Sequence, residues 1–178
     1  QIKSFLYISN RVDNLHRYNG TSLEVYSGID APEDLAAVRG SGLSSGSFGL
    51  WYAVTALNEV GETGSLGSVQ IAVDKTRDTW STEAGSNEHV SLTWDAVAGA
   101  TRYNIYISDE EGYEVFLATS TTNSYVDNNT ATPNDYIDLP DDDTTQAPKF
   151  GPMELSGNII WATQDSDHPF RVYGTGAG

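Results

Sequence analysis

Three histidines, His16, His89 and His168, are the residues from which acid–base or nucleophilic chemistry would have to be built. A hydrolytic triad needs a histidine held by a carboxylate and within reach of a hydroxyl. Asp167 adjoins His168, but consecutive residues on a strand point to opposite faces. The hydroxyl cluster Ser44-Ser-Gly-Ser47 reads as a flexible loop, because a nucleophile elbow needs a strand-to-helix turn that this sequence does not offer. No catalytic residues are assigned, and the chain is not expected to be an enzyme.

Carboxylates are the second source of chemistry. Asp109-Glu110-Glu111 and Asp141-Asp142-Asp143 contain the close acid pairs that a glycosidase uses. Both sit in turn-like polar sequence and read as solvated turns. A hard cation wants several oxygens on one flexible loop, and Asp127-Asn128-Asn129, Asp135, Asp138 and Asp141 to Asp143 supply them within one connection. Their spacing does not follow the Asp-x-Asp-x-Asp-Gly pattern, and a solvated linker explains the same residues. The reading is no metal and no cofactor. Of Trp51, Trp80, Trp94 and Trp161, only Trp80 lies in polar sequence where a sugar-stacking platform would fit, and a buried anchor fits it better. No Gly-rich loop leads into a helix to cradle phosphate. Asn19-Gly-Thr and Asn128-Asn-Thr match a glycosylation sequon, which matters only in a eukaryotic secretory setting.

The balance of 25 acidic against 9 basic residues, a formal charge of -16, repels phosphate backbones and anionic lipid heads. Nucleic acid and membrane are therefore not expected as partners. With no cysteine, disulfides and thiolate zinc sites are excluded, and a bacterial or viral source is favoured. No apolar run approaches the roughly 20 residues of a membrane-spanning helix. The chain starts on Gln1 and ends on Gly174-Thr-Gly-Ala-Gly178, and is expected to be a segment of a longer polypeptide.

The elements that must position these residues read almost wholly in period two. Aromatic residues make up 11% of the chain and compensate for a modest apolar fraction of 38%. Ser4 to Ser9, Leu15 to Tyr18 and Leu23 to Tyr26 form an opening meander, with Asn19-Gly20 as its hairpin signal. Ala31-Pro-Glu-Asp-Leu-Ala-Ala-Val38 is the one candidate helix, of about two turns, with an extended segment as the alternative. Leu50 to Ala56, Ser68 to Val73, Val90 to Trp94, Tyr103 to Ile107, Glu114 to Ala118 and Ser124 to Val126 read as core strands. Val90, Leu92 and Trp94 alternate onto one face, as do Tyr103, Ile105 and Ile107. Asp138 to Gln146, bounded by Pro140 and Pro148, reads as a linker. Gly157 to Thr163 and Phe170 to Tyr173 form a last strand pair. Many short strands with frequent turns predict an all-β sandwich or barrel.

From Val90 to Val126 the residues are more specific. Val90-Ser-Leu-Thr-Trp94, Gly99-Ala100, Tyr103-Asn-Ile-Tyr106, Phe116-Leu-Ala118 and Ser124-Tyr-Val-Asp127 resemble strands B, C, C′ and E of a fibronectin type III module. The sequence departs from that pattern after Tyr125, where the Tyr-x-Val-x-Ala strand and its Gly turn are missing. A match to them lies upstream, at Trp51-Tyr-Ala-Val-Thr-Ala-Leu-Asn-Glu-Val-Gly-Glu-Thr-Gly64. Either two incomplete modules are present or one sandwich is assembled in permuted strand order. The permuted sandwich is preferred, because residues 23–49 are too short and Gly-rich for another module's early strands.

The flanks carry a weaker resemblance to propeller-blade segments, at Phe5 to Thr21 and at Pro152 to Tyr173. A sandwich between propeller-like hairpins is similar to structural proteins of tailed-bacteriophage virions. The resemblance implies three parts: an N-terminal β-meander over 1–30, a fibronectin type III-like sandwich over 31–147, and a C-terminal β-hairpin over 148–178. It also implies a non-catalytic assembly protein of a phage tail, homo- or hetero-oligomeric with other virion proteins. The alternative is an accessory carbohydrate-binding or adhesion module of a secreted bacterial protein, at the cell surface.

Overall fold

Side chains that alternate along a strand reach water on one face and a dry interior on the other. Val90, Leu92, Trp94, Tyr103, Ile105 and Ile107 are all between 0% and 5% exposed. They meet inside one sandwich.

A computed structural model describes residues 6–8, 15–18, 21–25 and 27–146, and the strand backbones of 153–156, 159–163 and 172–174. The chain divides into two compact units, residues 29–145, and residues 1–28 with 146–178. In the discontinuous unit, β1 (Leu6–Ile8), β2 (His16–Tyr18) and β3 (Leu23–Val25) form an antiparallel meander with Ile8 opposite His16 and Tyr18 opposite Leu23. The Asn19-Gly20 turn signal lies outside the described residues.

The continuous unit contains β4 (Ala36–Arg39), β5 (Phe48–Leu57), β6 (Val69–Val73), β7 (Val90–Thr93), β8 (Arg102–Ser108), β9 (Val115–Ser120), β10 (Ser124–Asp127) and β11 (Asn134–Asp138). Two antiparallel sheets result, ordered β10-β7-β4 and β11-β9-β8-β5-β6. The upstream strand β5 lies directly against β8, with Tyr52 opposite Ile107 and Val54 opposite Ile105. β5 and β6 therefore share one sheet with β8, β9 and β11, whereas β7 and β10 lie in the other. Tyr52, Val54, Ile71, Val73 and Leu117 complete the interior between the sheets. Burying each such side chain contributes roughly 1.5–3 kcal/mol. Trp94 and Tyr103 pack edge to face, with ring centroids 5.2 Å apart.

In the discontinuous unit, β12 (Met153–Ser156), β13 (Ile159–Thr163) and β14 (Val172–Gly174) form a further antiparallel sheet. The expected closing pair thus has a third strand, and its loop from Asp165 to Pro169 lies outside the described residues.

Two local expectations are resolved. Of the two equal readings of Ala31 to Val38, helix or extended segment, the extended one holds and the helix does not form. Asp34 adopts a left-handed φ of 53°, and Ala36–Arg39 pairs with Val90–Thr93 as a strand. A two-turn helix has too few internal hydrogen bonds to compete with a waiting sheet edge. The single helical element among the described residues is a 3-10 turn, Arg77–Thr79.

Nor is Asp138 to Gln146 a free linker. After β11 the chain runs back across the five-stranded sheet as a strap. Leu139 N donates to Glu114 O at 3.0 Å, Thr144 N to Glu62 O at 2.8 Å, and Asn58 Nδ2 to Thr145 O at 2.8 Å. A Cβ added at Gly61 would lie 2.4 Å from the carbonyl oxygen of Thr144, so glycine is what admits the strap there. Ala53, Thr55 and Tyr106, which alternate away from the inter-sheet core, are buried as well, and Glu62 from the loop after β5 bonds Thr55 and Tyr106. Pattern reading misses this because acidic, proline-bounded sequence is normally solvated.

Candidate functional site

Asp127 ends β10 and is fully buried. Its carboxylate accepts two hydrogen bonds from Arg77, Nε to Oδ2 and Nη2 to Oδ1, both at 2.7 Å. Tyr52 OH donates to Oδ2 at 2.7 Å. Arg77 Nη2 also donates to Ala131 O at 2.8 Å. This bidentate geometry compensates the cost of burying the Asp127 carboxylate in a dry interior. Burial, then the neighbouring Asp127 charge and hydrogen bond, push the Tyr52 phenol well above its ordinary range. For Arg77, burial works against the charge, but the bond to Asp127 outweighs it and the net shift is upward. The knot ties β5, β10 and the connection from β6 to β7.

Beside it opens a cleft of about 440 Å³. Leu50, Ile107 and Val115 supply its apolar lining, and Arg77, Ser108 and Pro133 stand among them. Its remaining lining is Asp109, Glu110 and Tyr113 from the β8–β9 turn, and Asp135 from β11. Ser108 Oγ accepts from Glu110 N at 3.0 Å, and Gly112 takes a φ of 84°, which shapes the turn that presents these side chains. Asp135 lies in a bulge, since Asn134 pairs with Phe116 and Asp138 with Val115. Extra residues in a bulge leave the ladder and re-aim their side chains. Tyr136, in the same bulge, is 97% exposed, and Tyr113 is 69% exposed.

A polar cluster also lies beneath the strap. Glu62 Oε1 accepts from Thr55 Oγ1, from Asn104 Nδ2 at 3.0 Å and from Tyr106 OH at 2.6 Å. Burial, then the bond to Glu62, raises the Tyr106 phenol strongly.

The structure redistributes the residues singled out from sequence. Asp109 and Glu110 share the cleft with Asp135, whereas Asp127 is turned inward to Arg77. Asp143 accepts from Thr145 N and Oγ1 at 2.7 and 2.6 Å, closing a local turn. Among the described residues, no group of three His, Cys, Asp or Glu side chains is placed to hold a metal ion. Trp80 is 3% exposed, so its indole is an anchor in the core rather than a platform. Among the described residues, neither His16 nor His89 hydrogen-bonds a carboxylate through its ring. His168, Asp167 and the Trp161 side chain lie outside the described residues. Tyr113 and Tyr136 were not singled out. The available signal was an aromatic residue following an acidic Gly turn, and another set between aspartates.

The chain matches no protein-family model, no curated protein and no solved structure in comparisons with known proteins. Its own residues therefore carry the functional reading.

Proposed function

We propose that the chain is a non-catalytic assembly module of a tailed-phage particle, built on a fibronectin type III-like sandwich in permuted strand order. The observation that carries this reading is the neck of the sandwich. Ile29 N donates to Thr145 Oγ1 at 3.0 Å, and Thr145 is fully buried. The unit thus starts and ends at one pinned point, while residues 1–28 and 146–178 belong together in another unit. That is the connectivity of an inserted decoration. Insertions are tolerated where the two ends of the insert lie close together.

Strand neighbours support the permuted fibronectin-like part. In such sandwiches B lies beside E and C beside F; here β7 lies beside β10 and β8 beside β5. The strand in the F place precedes the one in the B place in sequence. The propeller-like character of the flanks belongs to the same proposal.

The test is fractionation of purified particles and sedimentation of the full chain. Symmetric multimers and co-purification with particles are the expected results. A monomer found only outside particles overturns the reading. The exposed Tyr113 beside the cleft favours a second reading, a carbohydrate-binding or adhesion module of a secreted bacterial protein. A glycan array with clear affinity for a defined polysaccharide would favour it over the first.

A further inference from the structure

We propose that the cleft beside β11 receives an arginine or lysine side chain from a basic, extended segment of a partner protein. The inference rests on the assembly reading and names the chemistry of the neighbour.

Charge carries the argument. Asp109, Glu110 and Asp135 line the cleft, and among the described residues none of them forms an ion pair. Among the described residues the one cation in the lining is Arg77, which is already held by both oxygens of Asp127. Among the described residues the lining is therefore net anionic, three carboxylates against Arg77. A bare metal ion is the wrong occupant, because these acids do not converge into a coordinating group and the space, about 440 Å³, is in the range of organic ligands. Val115 and Pro133, half-buried in the lining, offer apolar contact to a methylene stem, while the carboxylates suit the charged head, the division that long basic side chains require. Tyr113, exposed in the same lining, adds an aromatic face on which a guanidinium can stack. A second copy of this chain is a poor occupant of this cleft, because with 9 basic residues in 178 it offers no run of basic side chains.

The test uses the full chain and hexa-arginine peptide, titrated by calorimetry at about 0.15 M salt, where charges more than about 8 Å apart are screened. A Asp109→Asn/Glu110→Gln/Asp135→Asn variant is compared with Glu83→Gln/Asp95→Asn/Asp141→Asn. The second variant removes the same charge from exposed positions outside the cleft. The first should weaken binding about tenfold or more, the second by less than about threefold, and Tyr113→Ala by about threefold. In NMR, N-acetyl-arginine amide should shift amides of 107–115 and 133–135 selectively. Equal weakening in the two triple variants, shifts spread over the whole surface, or no binding would overturn the proposal. So would displacement of the probe by a polysaccharide that shifts the same amides. Co-purification with particles is a separate measurement, so the cleft proposal can fail while the assembly reading stands.

Discussion

The amide of Ile29 and the hydroxyl of Thr145, 116 residues apart in sequence, are joined by a 3.0 Å hydrogen bond. Thr145 Oγ1 in turn donates to Asp143 Oδ1 at 2.6 Å. The hydroxyl thus serves as acceptor and donor at once, closing the neck of the sandwich.

Thr145→Val removes the acceptor for the Ile29 amide while keeping side-chain volume. It should destabilise the sandwich by about 1 kcal/mol, the cost of leaving a partly buried donor unpaired. Thr145→Ser should retain most of that stability. Urea midpoints of the three proteins check this, and equal midpoints would show that the neck bond is dispensable.

Removing one partner of a buried ion pair leaves the other charge uncompensated. Arg77→Met should therefore cost about 3–5 kcal/mol, because Asp127 is fully buried. The double variant Arg77→Met/Asp127→Leu should recover a substantial part of that loss. A double-mutant cycle by chemical denaturation measures the coupling, and additive losses would contradict the geometry.

Trp94 is 3% exposed, and its Nε1 has no hydrogen-bond partner among the described residues. Its value then lies in volume and in the edge-to-face contact with Tyr103. Trp94→Phe should cost far less than Trp94→Ala, which opens a cavity worth about 3–5 kcal/mol. Thermal unfolding of the two variants distinguishes these cases; similar losses would point to a role for the indole nitrogen.

Tyr52 and Tyr106 both have phenols raised from an ordinary value of 10.0. A folded-state value above the unfolded one favours the folded protein below pH 10, and that stability is lost as pH climbs toward the folded values. Their ionisation should accordingly appear late and coincide with alkaline unfolding. Absorbance at the phenolate band, followed beside circular dichroism, tests this. Tyr52→Phe and Tyr106→Phe should each reduce the late step, and an early step reduced instead would refute the assignment.

The alternation of Val90-Leu92-Trp94 and Tyr103-Ile105-Ile107 was readable without coordinates, because strand periodicity depends only on neighbours two residues apart. The kinship of residues 51–56 with the strands after 90 was readable as well. β4 was not, since Ala36 to Arg39 has weak strand preference and is held by pairing with β7. Of the cleft, Asp109 and Glu110 read from the sequence as a solvated turn, and Asp135 as one oxygen among several in a separate connection. Their shared wall depends on the β8–β9 turn and the β11 bulge lying side by side. Asp127 looked like one oxygen donor among many. Its partners Arg77 and Tyr52 lie 50 and 75 residues away, beyond any local pattern.

An all-β chain, the inward-facing set of its central strands and an acidic surface free of thiols are all legible in the order of residues. Those properties follow from composition and local period. Which carboxylate is buried and paired, where the acidic strap is tied down and where a cleft opens emerge from folding alone. Such choices are settled by contacts between distant segments, and desolvation makes their energies depend on the whole fold rather than on any single stretch of chain.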